Sequence, residues 1–508
     1  MNAAVILIIG IVILALGYVF YGGWLSKQWG IDPSRTTPAH ELEDGMDYCP
    51  AKAPVLMGHH FSSIAGAGPI NGPIQAAVFG WVPVLLWVLI GGIFFGGVHD
   101  FGALFASVRN DGQSIGTVVE SSIGKKAKRL FLIFSYLTLI LVVAAFASIV
   151  ANTFKATYLE SGAVDVAKSA ANATTAIISL LFIVLAIFFG FFVYRRNAPL
   201  GVSTLIGVVA IAVIMWLGIK WHPIYLSYQT WMIICGIYIL VASVTPVWIL
   251  LQPRDYLSSF LLYAMMLLAL IGVVGAHPSL DMPAFTGFVD TVAPTGSSLG
   301  YMFPALFVTI ACGAISGFHA TQSPLMTRCM ESEKHGRMLF YGPMIAEGVL
   351  GLIWVTLGLS FYESPEALGA VIKAGTPTLV VQEISMALLG PIGGMLAILG
   401  VVVLPISTGD TAFRSARLLV ADTLRIDQGP IGKRLMIAVP LFIAGIALTF
   451  VDFAVIWRYF GWANQTMSCV TLWAIAVYLA RRERFHWIAT LPAAFMTVVC
   501  VSYLCYAK

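Results

Sequence analysis

The stretch GHHFSSIAGAGPINGP, residues 58–73, interrupts a strongly apolar sequence with polar and helix-breaking residues. It places two histidines, two serines, four glycines and two prolines where an uninterrupted membrane helix would be expected. Lipid cannot hydrogen-bond a freed backbone group, so unwound backbone at membrane depth is tolerated only inside protein or beside a water-filled cavity. The stretch therefore predicts a broken helix that borders a cavity.

The composition around this stretch is that of a polytopic membrane protein. The chain has 508 residues, of which 59% are hydrophobic and 10% are charged, whereas soluble domains carry about 25% charged residues. The net charge of +4 gives no basic face for nucleic acid. The seven cysteines are odd in number and lack C-x-x-C spacing, so we expect no disulfide framework, no metal site and no cofactor.

Apolar runs and their interruptions predict fourteen membrane helices. We place them near residues 3–22, 53–73, 76–97, 129–151, 172–194, 198–219, 228–250, 257–275, 303–325, 339–361, 378–406, 435–451, 453–480 and 487–507. Of the 28 Lys and Arg residues, 22 fall in alternate connections, which the positive-inside rule assigns to the cytoplasm. Those connections are 23–52, 98–129, 195–196, 254, 328–337, 414–434 and 481–484, and both termini are then predicted to lie outside.

Two helices of opposite predicted direction carry helix-breaking patches. The first patch is 66–69 in the helix at 53–73, and the second is 243–246 in the helix at 228–250. Five helices followed by five inverted ones, each set opening with a broken helix, is the layout of inverted-repeat secondary transporters. We therefore predict an all-α integral membrane protein with this 5+5 core. Its expected parts are an extra helix and cytoplasmic loop at 1–52, a transport core at 53–406 with repeats 53–219 and 228–406, a cytoplasmic loop at 407–434, and three peripheral helices at 435–508.

The predicted breaks suit a small anionic substrate, because half-helix N-termini carry partial positive charge and unpaired N–H groups. Adjacent His59 and His60 point about 100° apart on a helix and cannot face one ligand together. Close helix packing is the alternative explanation for the glycines. The candidate substrate-binding residues are His59, His60, Ser62, Ser63, Ala65, Gly66, Ala67, Gly68, Ser243 and Thr245.

Glu347, in YGPMIAEGVLGLIW, is a carboxylate half-way along an otherwise uncharged helix. An ionisable residue inside the membrane suggests a function by default, so Glu347 is the first candidate to carry a coupling proton. His60 and Asp100 are further candidates for this role. The alternative is a carboxylate neutralised by a neighbouring helix.

Further polar residues are candidates for ion binding or gating. Ser316, His319 and Thr321 suggest a sodium site, although hydroxyls also bond their own helix. Asp410 and Arg414, one turn apart, suggest a cytoplasmic gate, although most such pairs are solvated surface charges.

Several motifs together resemble the carbon starvation protein A family. They are GHHFSSIAGAGPINGP, QPRDYLSSF (252–260), ISGFHATQSP (315–324), YGPMIAEG (341–348) and DTAFRSARLLVAD (410–422). The resemblance implies an inner-membrane transporter of the amino acid–polyamine–organocation superfamily, with the LeuT-like inverted-repeat fold. It also implies uptake of peptides or, in some members, of pyruvate with protons.

The sequence thus favours a proton-coupled symporter for a small carboxylate, pyruvate first, embedded in the lipid bilayer. Import of peptides or amino acids by the same fold is the alternative within this class, and sodium is the alternative coupling ion. A haem-binding membrane redox protein with His59, His60, His99 or His319 as ligands is the alternative from another class. A sensor that binds carboxylates without moving them is a third.

Overall fold

The computed structural model describes residues 2–66, 68–290, 299–449, 451 and 453–506. These residues form α-helices joined by turns, and no β-strand is among them. The helices are α1 (Ala3–Leu16), α2 (Gly22–Trp29), α3 (Pro38–Glu41), α4 (Ala53–Ile64), α5 (Gly68–Ala76), α6 (Trp81–Ile90), α7 (Gly97–Val108), α8 (Ile115–Ser122), α9 (Lys125–Phe154), α10 (Val166–Gly190), α11 (Leu200–Lys220), α12 (Tyr228–Val244), α13 (Leu251–Ala276), α14 (Met302–Thr309), α15 (Gly317–Thr327), α16 (Gly342–Phe361), α17 (Pro365–Leu424), α18 (Ile431–Leu448), α19 (Phe453–Arg481) and α20 (Trp487–Tyr506).

Nine helical segments of the described chain are long and apolar enough to cross a membrane. They are Ala3–Trp29, Trp81–Val108, Lys125–Phe154, Val166–Arg195, Leu200–Lys220, Leu251–Ala276, Arg337–Phe361, Ile431–Leu448 and Trp487–Tyr506. The apolar helix Tyr228–Val244 is shorter than these segments, and the number fourteen stays a prediction.

Two antiparallel broken helices lie at the centre of the molecule. The first consists of α4 and α5 and is interrupted after Ile64, as predicted. The second consists of α14 and α15, which residues 310–316 separate. Helix α5 contacts α14, and α4 contacts α15. The N-terminal half of each broken helix therefore lies beside the C-terminal half of the other.

The prediction of the second break at 243–246 is wrong, because the break lies at 310–316. Helix α12 ends at Val244, and α13 begins at Leu251 after a turn, so these residues join two helices. The cause is Pro246, which disfavours helical backbone in the residue before it. Thr245 has the extended angles φ −77° and ψ 153°.

Glycines allow the two broken helices to approach each other closely. A Cβ built on Gly72 would lie 2.5 Å from the Thr309 carbonyl oxygen, and one on Gly68 would lie 2.6 Å from Cys312 Sγ. Real side chains do not tolerate such contacts. These glycines therefore set the spacing between α5 and the second broken helix.

Helix α17 extends well beyond its predicted bounds. It covers 60 residues, so the predicted cytoplasmic loop at 407–434 is helical as far as Leu424. A straight helix of this length would be about 90 Å long, roughly three times the hydrocarbon thickness of a bilayer. Gly390 lies inside α17 with φ +66°, a left-handed conformation that regular α-helix does not contain. We infer that α17 bends there.

The helix predicted at 76–97 also continues further, because a π-helical turn at Gly91–Gly96 leads directly into α7. Asp100 therefore lies inside a buried helix, not at a helix end. Two helices that were predicted to be peripheral contact the centre as well, since α1 packs on α16 and α19 packs on α15.

Candidate functional site

Five polar side chains from three helices and one connecting segment converge beside the second break. We call this set the central cluster: His99 and Asp100 on α7, Cys312 between α14 and α15, His319 on α15, and Glu347 on α16. Cys312 is 6% exposed, and the other four are at most 1% exposed. The sequence separates these residues by up to 248 positions, so only the tertiary fold brings them together.

Asp100 holds two histidine rings of the central cluster. Its Oδ1 lies 2.7 Å from His99 Nδ1, and its Oδ2 lies 2.7 Å from His319 Nδ1. An ionised carboxylate only accepts hydrogen bonds, so each Nδ1–H donates a hydrogen bond to Asp100. The Nε2 atoms of both rings then remain for other chemistry.

Glu347 lies on the other side of His319. Its Oε2 is 3.4 Å from His319 Nε2, and neither Glu347 oxygen has a hydrogen-bond partner despite complete burial. No arginine or lysine pairs with it among the described residues. A single proton between Glu347 and His319 makes either a neutral acid and a neutral ring or a buried ion pair. Without that proton, Glu347 is an uncompensated charge, which is costly in this surrounding.

Asn464 of α19 organises the second break, and sequence reasoning gave it no role. Its Oδ1 accepts the Phe318 backbone N–H at 2.7 Å, and its Nδ2 donates to the Ser316 hydroxyl at 3.0 Å. The side chain thus satisfies a free N–H at the start of α15 from a different helix. It is fully buried.

A second buried group, which we call the arginine cluster, contains His59, Arg254, Asp255 and Asp410. Asp255 Oδ2 lies 2.7 Å from His59 Nδ1, and its Oδ1 accepts from Arg254 Nη2 at 2.6 Å. Arg254 also pairs with Asp410 of α17. Two carboxylates face one permanent cation, so the cluster is electrically neutral when it holds one further proton, on His59 or on Asp410.

The third group, the Asp47 cluster, lies on the predicted cytoplasmic side. Asp47 accepts from Arg414 at 2.7 Å and from Arg417 at 3.1 Å, and Arg414 also donates to the Thr245 carbonyl. Burial raises the pKa of Asp47, but the charges of the two arginines outweigh this and hold the pKa well below its ordinary value. Asp410 and Arg414 therefore bind different partners instead of each other. Both residues are buried, so the alternative of a solvated surface pair does not apply.

The remaining predicted residues of the first break face several neighbours. Ser62 donates to the Asp255 carbonyl, and Ser63 donates to the Asp255 carboxylate. His60 Nδ1 donates to the Leu339 carbonyl, so His60 and His59 do face different partners, as predicted. Ala65 and Gly66 form the interruption itself, and Ala67 lies outside the described residues.

Four other predicted site residues bond to their own helix or to Asn464. Ser243, Thr245 and Thr321 each donate a hydroxyl to a carbonyl of the preceding helical turn. Ser316 bonds to Asn464. The structure therefore places Ser243 and Thr245 at a helix end beside Arg414, and not at either break.

Buried polar atoms without a partner mark further residues of the site. Gln322 and Ser323 on α15 and Asn71 on α5 are buried, and Gln322 has neither amide atom bonded. Such atoms are uncommon in folded proteins and call for a ligand, an ion or water. Their polar character inside broken helices was the available sequence signal.

The sequence of the whole chain matches known transporters. The family model described as carbon starvation protein CstA matches residues 2–364 and 368–503. Peptide transporter CstA of Escherichia coli (strain K12) is 30% identical, over 98% of this chain and 80% of the relative. Peptide transporter CstA of Bacillus subtilis (strain 168) is 30% identical, over 100% of this chain and 90% of the relative. The pyruvate/proton symporter BtsT of Escherichia coli (strain K12) is 33% identical, over 69% of this chain and 48% of the relative.

The fold also matches a solved structure. The crystal structure of MhsT in complex with L-phenylalanine superposes with a TM-score of 0.55 over 90% of this chain and 99% of that chain, at 12% identity. This likeness establishes a LeuT-type fold. Together with the apolar helices, the relatives indicate a multi-pass protein of the inner membrane. The chain belongs to the carbon starvation protein CstA family.

Proposed function

We propose that the protein is a secondary active transporter that imports a small carboxylate, pyruvate first, together with a proton. The observation that carries this proposal is Glu347, a buried carboxylate with no hydrogen-bond partner and with His319 3.4 Å away. Such a group exchanges a proton only when water reaches it. Its protonation is thereby linked to the opening of the site toward one side of the membrane.

The Asp100 contact fixes the His319 ring, so that its Nε2 faces Glu347. A proton that enters from one side resides on Glu347 or His319 while the site is closed. The two broken helices meet beside this pair, because Gly313 lies between Pro69 of α5 and Glu347. Movement of the broken helices therefore changes two environments at the same time, that of the proton and that of a substrate bound at the breaks.

A carboxylate substrate is supported by the helix ends at the breaks. The start of α5 presents backbone N–H groups with the positive end of the helix dipole, a favourable place for a carboxylate. The buried Gln322 amide, which has no partner at either atom, supplies a further hydrogen-bonding group, and Asn71 has an unpartnered Oδ1.

Peptide import is the second candidate function, and the names of the relatives favour it. The relatives of Escherichia coli and Bacillus subtilis that match nearly the whole chain are named peptide transporters. The relative named a pyruvate/proton symporter matches 69% of the chain at 33% identity. A peptide also carries a carboxylate, so the same helix ends would serve both substrates. Family membership favours both over a haem-binding redox protein.

Glu347→Gln tests the coupling role in proteoliposomes. The amide holds no exchangeable charge, so we expect loss of proton-driven accumulation while exchange of internal for external substrate persists. Glu366→Gln, at an exposed glutamate in the first turn of α17, is the matched control and should accumulate substrate like the wild type. Undiminished accumulation by Glu347→Gln would refute the coupling role.

A further inference from the structure

The central cluster contains the donor set of a metal site. Cys312 Sγ, a His319 ring nitrogen and a Glu347 carboxylate oxygen all lie within 4.8 Å of one another, and all three residues are buried. We propose that these three residues bind a borderline-soft divalent metal ion of the Zn²⁺ class. Thiolate, imidazole and carboxylate are the ligands that zinc takes in proteins.

The donor atoms are available for a metal ion. His319 Nε2 and both Glu347 oxygens have no hydrogen-bond partner, although their residues are at most 1% exposed. Cys312 Sγ has a long contact of 3.6 Å with the Ser316 hydroxyl. Buried polar atoms normally have hydrogen-bond partners, so several such atoms without a partner at one place indicate a bound ligand.

The spacing of one ligand pair, His319 and Glu347, already suits tetrahedral coordination. With zinc–ligand bonds of about 2.0–2.3 Å, neighbouring ligand atoms lie roughly 3.3–3.6 Å apart. The distance from His319 Nε2 to Glu347 Oε2 is 3.4 Å, so this pair needs almost no rearrangement. Three protein ligands leave a fourth position for water or for a carboxylate oxygen of a substrate.

The outer contacts are those of a metal-binding histidine. Such a histidine usually donates its other ring N–H to a carboxylate, which fixes the ring and raises its basicity. His319 donates Nδ1 to Asp100 at 2.7 Å, and His99 holds the other Asp100 oxygen. The expectation of no metal site followed from the number and spacing of the cysteines, and it did not consider ligands that meet across three segments.

One consequence depends on the proposed function. A metal ion bound to Glu347 occupies the oxygen that the coupling proton needs, so the metal ion and the proton compete for one site. Metal binding itself does not require transport. It is therefore measured without a gradient or a substrate, and its failure leaves the coupling role of Glu347 untouched.

Cobalt titration of the purified, metal-stripped, full-length protein in detergent tests the site. We expect one Co²⁺ per chain with a thiolate-to-cobalt charge-transfer band, and displacement of that band by Zn²⁺. Cys312→Ser should remove the band and weaken binding at least tenfold. Asp100→Asn should weaken binding about 10–100-fold, as for other outer-contact residues of metal sites.

Cys469→Ser is the matched control, since Cys469 is a buried cysteine on α19 that contacts Thr497. It should keep both the band and the affinity. If Cys312→Ser does not fold, the unfolding midpoint decides: Zn²⁺ should raise the midpoint of the wild type and not that of Glu347→Gln. Binding of less than one ion per chain, a band that persists in Cys312→Ser, or equal stabilisation of Glu347→Gln would overturn the proposal.

Discussion

Two buried carboxylates, Glu347 and Asp47, have opposite surroundings and therefore suit opposite tasks. Asp47 has two arginines within 3.1 Å, which keep it ionised. Glu347 has no such cation and only a histidine that is able to share its proton. A permanently ionised carboxylate holds elements together, whereas one that exchanges a proton responds to access of water.

Asp47→Asn should open the predicted cytoplasmic side of the molecule. The change leaves Arg414 and Arg417 without their carboxylate. The Cys329 thiol reports on this change because the loop that contains Asp47 covers it. We expect a membrane-impermeant maleimide to label Cys329 several-fold faster in inside-out vesicles, with mass spectrometry to identify the site. Asp427→Asn, at an exposed acid paired with Lys433, is the control. Equal labelling of Cys329 in both variants would show that Asp47 does not hold this side closed.

The pKa of Asp47 predicts how this contact depends on pH. A carboxyl whose folded pKa is depressed stabilises the folded state fully above its unfolded pKa of about 3.9. The contribution is lost as pH falls through the lower folded value. Labelling of wild-type Cys329, corrected for the reactivity of a free thiol, should therefore not change between about pH 5 and pH 8. A rise in labelling within this window would contradict the assignment.

The arginine cluster permits a double-mutant test. Arg254→Met leaves Asp255 and Asp410 buried without their cation, and removal of one partner of a buried pair costs about 3–5 kcal/mol. Adding Asp410→Asn removes one of the two excess charges, so the double variant should unfold at a higher temperature than Arg254→Met alone. Thermal unfolding in detergent measures this coupling. A double variant that is less stable than the single one would contradict the charge balance.

At the scale of helices, apolar runs predicted most elements, and of the two helix-breaking polar patches only one marked a break correctly. The first break follows from local chemistry, because Gly66, Gly68 and Pro69 act on their own backbone. The patch before Pro246 has the same local effect, but there it ends a helix. Whether an interruption lies inside a membrane or at its surface depends on packing, which the local sequence does not contain.

Gly72→Ala tests the close approach of the broken helices. The new Cβ would lie 2.5 Å from a backbone oxygen, so α5 or α14 must shift, and we expect a cost of about 1–3 kcal/mol. Gly201→Ala is the control because its Cβ would meet nothing within 4 Å, and alanine favours helix by up to about 1 kcal/mol. Unfolding midpoints in detergent compare them. Equal midpoints would mean that α5 and α14 are not in tight contact.

The candidate site was predictable only in part. Asp100, His319 and Glu347 are polar residues in apolar helices, and this contrast marks them in the sequence. The sequence around Cys312 and Asn464 does not predict their roles, because these roles depend on residues of other helices. For Asn464 the partner is Ser316, 148 residues away in the sequence. Local patterns thus identify single groups, and tertiary packing decides which of them meet.

At the scale of the whole molecule, the central cluster, the arginine cluster and the Asp47 cluster connect the two broken helices to the rest of the bundle. Arg254 joins α13 to α17, and Asp47 joins the loop before α4 to α17. Buried charges thus link α17 to the first broken helix indirectly, because Asp255 of α13 holds both Arg254 and His59 of α4. In the proposed transport cycle, we expect an opening toward the predicted cytoplasmic side to separate the Asp47 contacts.

Uptake of labelled pyruvate into proteoliposomes under an inward proton gradient, with and without sodium and with dipeptides as competitors, tests the central claim most directly. We predict accumulation that collapses with the gradient, does not require sodium and is unaffected by dipeptides. Failure of pyruvate to accumulate while a labelled dipeptide does would contradict the small-carboxylate assignment and establish peptide import on the same fold.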